Sequence, residues 1–214
     1  MKSRTPLLTV PFLAMAVSPA VAQSLYDNGP INGNTDAWTI NFGYVVSDDF
    51  TMLKGGQVMG FSFGVWEDPG DVMTSIDYKI TSLENGGTVY GSGVASGNNL
   101  TDQFLATNQY GYDIDLITVS GLNLELNAGT YWLNLQNAVE SGGDAVYWDE
   151  NSGPSSASEN EVGTIPSESF TILGSASSTT TSTTTTGTVP EPSSIMLFVS
   201  GILSLAGRLR RKLF

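Results

Sequence analysis

The chain has 214 residues, 40% hydrophobic and 14% charged, with 24 Gly and neither Cys nor His. That is enough apolar mass for one domain of ordinary size with a real core. The missing Cys and His exclude disulfides, thiolate nucleophiles, a Ser-His-Asp triad and the usual zinc sites, and the formal net charge of −13 excludes a nucleic-acid partner, because phosphates require a basic surface.

The charge is unevenly spread. Lys2 and Arg4 open the chain, and Arg208, Arg210, Arg211 and Lys212 close it. Between residues 23 and 190 only Lys54 and Lys79 are basic. Basic ends around an acidic middle suggest two membrane-targeting segments flanking an exported domain.

Residues 1–22 have the form of a secretory signal peptide. Lys2 and Arg4 supply the positive region, and Leu7 to Val17 a short apolar core. Ala20-Val21-Ala22 is a small-residue cleavage site, with Gln23 the expected first mature residue. Pro6, Pro11 and Pro19 argue against an ordinary first helix.

Residues 23–174 are expected to form an all-β ectodomain, an antiparallel β-sandwich of jelly-roll type. Apolar residues alternate with polar or small ones at Trp38-Ile40-Phe42, Phe50-Met52, Met59-Phe61-Phe63-Val65, Ile76-Tyr78-Ile80, Ile114-Leu116, Leu122-Leu124-Leu126 and Tyr131-Leu133-Leu135. Val146, Trp148, Phe170 and Ile172 complete the set. Period two is the mark of strands with one buried face, and Gly/Asn-rich turns separate the runs. Leu122 to Leu135, broken by Asn127-Ala128-Gly129, reads as a β-hairpin.

Within this domain three kinds of chemistry are open. Asn32-Gly33-Asn34-Thr35-Asp36 sets oxygen side chains at alternate positions, as calcium loops do, so Asn32, Asn34 and Asp36 are the first candidate calcium ligands, with Asp48-Asp49, Glu67-Asp68 with Asp71, Asp113 with Asp115, and Asp149-Glu150 with Asn151 offering others. Calcium is the one cofactor expected, if any. Trp66 and Trp132 are candidate platforms for stacking a sugar, although aromatics more often fill cores or cross-strand pairs. A carboxylate enzyme acting on polysaccharide is the remaining alternative, with Glu67, Asp68, Asp71, Asp149 and Glu150 as candidate acids. In a domain this acidic most carboxylates serve solubility, and the domain is expected to be non-catalytic.

Residues 175–188 are Ser or Thr except for Ala176 and Gly187. With no apolar face to bury, they are expected to form a disordered linker. Val189-Pro190-Glu191-Pro192 follows, then Ile195 to Gly207, apolar apart from Ser200 and Ser204, and then the basic tail. A helix from Ser193 to Leu209, at roughly 1.5 Å per residue, is about 25 Å long. That is just long enough for a single transmembrane helix whose arginines reach the interface, with the basic end held in the cytoplasm.

Pro190-Glu191-Pro192, a short apolar helix and a terminal Arg/Lys cluster, in that order at the C-terminus, resemble the PEP-CTERM sorting domain over residues 189–214. The resemblance implies an exopolysaccharide-producing Gram-negative bacterium. It also implies an exosortase, an integral-membrane cysteine transpeptidase that recognises the tail and cleaves near the Pro-Glu-Pro motif. The expected partners are therefore the secretion machinery, the inner membrane, the exosortase and exopolysaccharide. The expected course is export, transient anchoring in the inner membrane, and delivery to the cell surface or the extracellular matrix of a biofilm.

Overall fold

The computed structural model describes residues 22–177. The expected signal sequence before Ala22, the Pro-Glu-Pro motif, the apolar helix and the basic tail lie outside the described residues, as does the linker from Ser178 on.

Thirteen strands alternate along the chain: β1 (Gln23–Asp27), β2 (Ala37–Thr39), β3 (Val45–Met52), β4 (Gly56–Glu67), β5 (Met73–Leu83), β6 (Gly86–Ser96), β7 (Leu100–Thr107), β8 (Asp113–Leu126), β9 (Gly129–Glu140), β10 (Tyr147–Asp149), β11 (Ala157–Glu159), β12 (Gly163–Ile165) and β13 (Phe170–Ala176). Only one 3₁₀ turn, Gly97–Asn99, interrupts the β structure of the described residues. All pairings are antiparallel. One sheet runs β12-β11-β3-β9-β5-β6; the other runs β1-β13-β4-β8-β7, with β10 and then β2 continuing from the far end of β4. The eight-strand frame therefore reads β1-β13-β4-β8 over β3-β9-β5-β6, the strand order of two interlocked Greek keys in a jelly roll.

The two sheets enclose one hydrophobic cluster. Phe61, Phe63 and Val65 of β4, Ile117 and Val119 of β8 and Ile172 of β13 meet Phe50 and Met52 of β3, Ile76 and Ile80 of β5 and Leu133 and Leu135 of β9. Trp148 is fully buried, donates its indole N–H to Ser169 O at 2.8 Å and meets Phe63 and Phe170 edge-on. Each such large side chain removed from water contributes roughly 1.5–3 kcal/mol, so this shared core holds the sheets together.

Several expectations are corrected here. Leu122–Leu135 is not a hairpin: β8 belongs to one sheet and β9 to the other, and Asn127-Ala128 carries the chain across the sandwich edge. The hairpin involving β8 is β7–β8, closed by Asn108, whose Oδ1 accepts the N–H groups of Tyr110 and Tyr112. Phe42 is exposed at φ 55° in a turn. A register shift at Met59 makes Val58, rather than Met59, the core residue. In β8 the inward row is Asp115, Ile117 and Val119, not Ile114 and Leu116. Ile114 is covered from the opposite side, where a Cβ on Gly33 would meet its Cγ1 at 2.8 Å. The domain ends slightly later than Gly174, because Ser175 and Ala176 still pair with Gln57 and Gly56. Gln23, the expected mature N-terminus, is the first residue of β1, opposite Gly174.

Candidate functional site

Three features of the described domain carry chemistry. The first is an aromatic hollow. The Asn108-anchored turn between β7 and β8 lays Tyr110 on Trp66, with ring centroids 5.7 Å apart and planes 22° apart. Tyr112 stands 6.0 Å from Trp66 and 5.7 Å from Tyr147. Asp36, Ala37, Trp66, Tyr112 and Tyr147 line a space of about 180 Å³, below the 300–1,000 Å³ usual for small-molecule pockets. Trp66, a candidate sugar platform, is 6% exposed and donates its indole N–H to Asp149 Oδ1 at 2.7 Å. The tyrosines therefore form the surface a ligand would meet. Trp132 is half-buried on the outer face of β9, between Asp49 of β3 and Thr81 of β5, far from this hollow in the strand order.

The second feature is the loop holding Asn32, Asn34 and Asp36. Asn32 Oδ1 and Asp36 Oδ1 cap the loop itself. Asn32 Oδ1 accepts the N–H groups of Asn34 and Thr35, and the Asn34 amide donates to Asn32 O. Asp36 Oδ1 accepts the N–H of Ala37. The loop is fastened to β10 by the Asp149 carboxylate, which accepts the N–H groups of Asn32 and Gly33 at 2.9 and 2.8 Å. Clusters of Asn, Asp and Gly at turns arise from this self-capping.

The third feature joins acids that the sequence offers only separately, Glu67 beside Asp68 and Asp71, and Asp115 beside Asp113, with Asp102, which the sequence does not point to. At one end of the sandwich the inward rows of neighbouring strands finish in acids. Phe61, Phe63 and Val65 lead to Glu67; Val119 and Ile117 lead to Asp115; Leu100 leads to Asp102. Carboxylate oxygens of these three acids lie within 4.8 Å of one another. Glu67 has no exposed surface and neither oxygen has a hydrogen-bond partner. Burial, with Asp102, Asp115, Glu140 and Asp71 nearby, pushes its carboxyl up to about 8. Burial, Asp102 and Asp113 push Asp115 up to about 6. Asp102, raised by burial, accepts the N–H of Met73 at 2.6 Å. In a second trio, Asp71, Glu140 and Asp144, two acids are already engaged: Glu140 accepts the N–H groups of Gly142 and Asp144, and Asp71 accepts the Ser141 hydroxyl.

Acids also enter the core elsewhere. Asp48 lies in the inward row of β3 between Val46 and Phe50, and Glu168 is fully buried with both oxygens unpartnered. Burial raises both, Asp48 to about 7.

Residues 188–212 match the family model described as the PEP-CTERM protein-sorting motif. The match covers the tail alone, including Pro190, Glu191, Pro192 and the basic residues Arg208, Arg210, Arg211 and Lys212. It implies an exported protein that is transiently anchored and processed by an exosortase. No curated protein matches the chain.

Proposed function

We propose that this is a non-catalytic cell-surface or extracellular-matrix protein: a jelly-roll domain exported behind a signal peptide and delivered by its C-terminal sorting tail. The observation that carries the reading is the tail match at residues 188–212. The tail's order supports the route, since a Ser/Thr-rich spacer separates Pro190-Glu191-Pro192 from the folded domain in the sequence. The absence of catalysis is supported by the acid cluster itself. A glycosidase acid must touch its sugar, whereas Glu67, raised to about 8, has no exposed surface and Asp115, raised to about 6, is nearly as buried. Replacing Pro190-Glu191-Pro192 by alanines should leave export intact but trap an unprocessed, membrane-bound form in the native host. Processing equal to that of the parent would refute the sorting reading.

A second reading, that the domain binds carbohydrate, is favoured by the tyrosine-lined hollow over Trp66. Stacking on an aromatic ring is how sugars are commonly held, and exopolysaccharide is the partner the tail suggests. Selective glycan-array binding lost in Tyr112→Ala would support it. Loss in Trp132→Ala alone would move the platform to the outer face of β9, and no binding would leave the domain a structural spacer.

A further inference from the structure

We propose that Glu67, Asp102 and Asp115 form a binding site for a hard divalent cation of calcium's size. Three adjacent strands, β4, β8 and β7, each turn one carboxylate into the same end of the sandwich, in line with their core residues. An interior row that ends in an acid is costly, because a carboxylate moved out of water needs a partner. Glu67 has none: it is fully buried and both of its oxygens lack hydrogen bonds. The only bases in the described residues are Lys54 and Lys79, which sit after β3 and in the middle of β5.

The geometry fits an oxygen-ligand cation. Calcium holds its oxygens at about 2.3–2.6 Å, so two ligands across the ion are about 5 Å apart at most. The three carboxylates meet that limit, lying within 4.8 Å of one another. Three carboxylates, used singly or bidentately, supply three to six of the roughly six to eight oxygens calcium takes. The remainder has a route in. A cleft of about 310 Å³ lined by Asp71, Asp102, Asp113 and Asp115 opens beside the cluster, giving water and the ion access along an acidic wall. The donor set is all oxygen, which suits calcium over zinc or copper. Magnesium, at about 2.0–2.1 Å and strongly attached to its waters, suits the set less well.

The test uses the full chain in a non-ionic detergent, unfolded by heat in EDTA and in about 10 mM calcium. An affinity of about 10⁻⁴–10⁻³ M, the range of extracellular modules, raises the midpoint by about 3–10 °C. Glu67→Gln and Asp115→Asn should abolish that rise, and Glu67→Gln should melt no lower than the parent in EDTA, because it removes an unpaired buried acid. Asp144→Asn and Asn32→Ala should retain the rise. Terbium, a calcium-sized ion excited through nearby indoles such as Trp66, gives a second readout: emission competed away by calcium and lost in Asp115→Asn. No midpoint rise and no terbium emission would overturn the proposal. So would a calcium response that survives Glu67→Gln and Asp115→Asn, or one abolished by Asp144→Asn or Asn32→Ala instead.

Discussion

Asp48 makes the domain's stability depend on pH in a direction opposite to ordinary acid denaturation. It lies inside the inward row of β3 with no exposed surface. Its Oδ2 accepts the Glu168 N–H at 2.7 Å and the Asn28 amide at 3.2 Å, while Oδ1 has no partner. Ser155 and the backbone N–H groups favour the charged form; burial and Asp49 oppose it and prevail, so the group moves from 3.8 to about 7. The facing groups offer no cation: Tyr26 and Asn28 come from the β1 side, Ser155, Ser167 and Glu168 from the β10–β13 side. An acid raised on folding holds its proton longer in the native state. Its contribution is therefore complete below pH 4 and is lost as pH rises through about 7. At about 1.4 kcal/mol per tenfold change in proton affinity, Asp48 removes on the order of 2–3 kcal/mol of stability between pH 5 and pH 8. Glu168, raised by burial and by Asp48, acts in the same direction. Urea unfolding of the full chain in detergent and EDTA at pH 5 and pH 8 measures this. Asp48→Asn keeps an acceptor for the Glu168 N–H, removes the titration, and should reduce the pH 5-to-8 loss by on the order of 2–3 kcal/mol. An equal loss in parent and variant, or a parent more stable at pH 8 than at pH 5, would refute the argument.

Other substitutions test the packing. Leu133→Ala, at a fully buried site shared by both sheets, should cost about 2–5 kcal/mol in urea unfolding; a loss under about 1 kcal/mol would mean that the core does not bridge the sheets there. Gly174→Ala places a Cβ 2.0 Å from Gln57 O and 3.0 Å from Gln57 C, so β13 must part from β4. Amide exchange should accelerate around Leu173 and Gly174 while β5–β6 stays protected, and unchanged protection would contradict the close approach. Tyr110→Ala removes the ring covering Trp66; its indole should become accessible to acrylamide quenching, and unchanged quenching would show that the β7–β8 turn does not cover it.

Much of the fold was legible because period-two alternation reports which segments are strands. Phe50 and Met52, Ile76 and Ile80, and Leu133 and Leu135 all face inward as the pattern implies. What the pattern does not report is phase where both faces are covered. Ile114 is buried against the loop at Gly33 while Asp115, its neighbour, occupies the inner row, so the two faces of β8 were exchanged in the sequence reading. The same ambiguity hid the meeting of Glu67, Asp102 and Asp115 in the interior, since an Asp in an alternating run is assigned to water by default. One signal was available: Glu67 shares the parity of Phe61, Phe63 and Val65. Nor does alternation distinguish a tight hairpin from a crossing between sheets, because Asn127-Ala128-Gly129 serves either. The tail was readable for a different reason: its motif, apolar run and basic end form a linear signal that needs no tertiary partner to be recognised.

Export behind the signal peptide followed by removal of the sorting tail at its motif is tested most directly by intact-mass analysis of the mature protein from the native host's envelope and medium. The account predicts a chain that begins at Gln23 and ends close to Pro190-Glu191-Pro192, lacking the apolar segment and Arg208 to Phe214. A surface or extracellular form that retains residues 195–214 would contradict it.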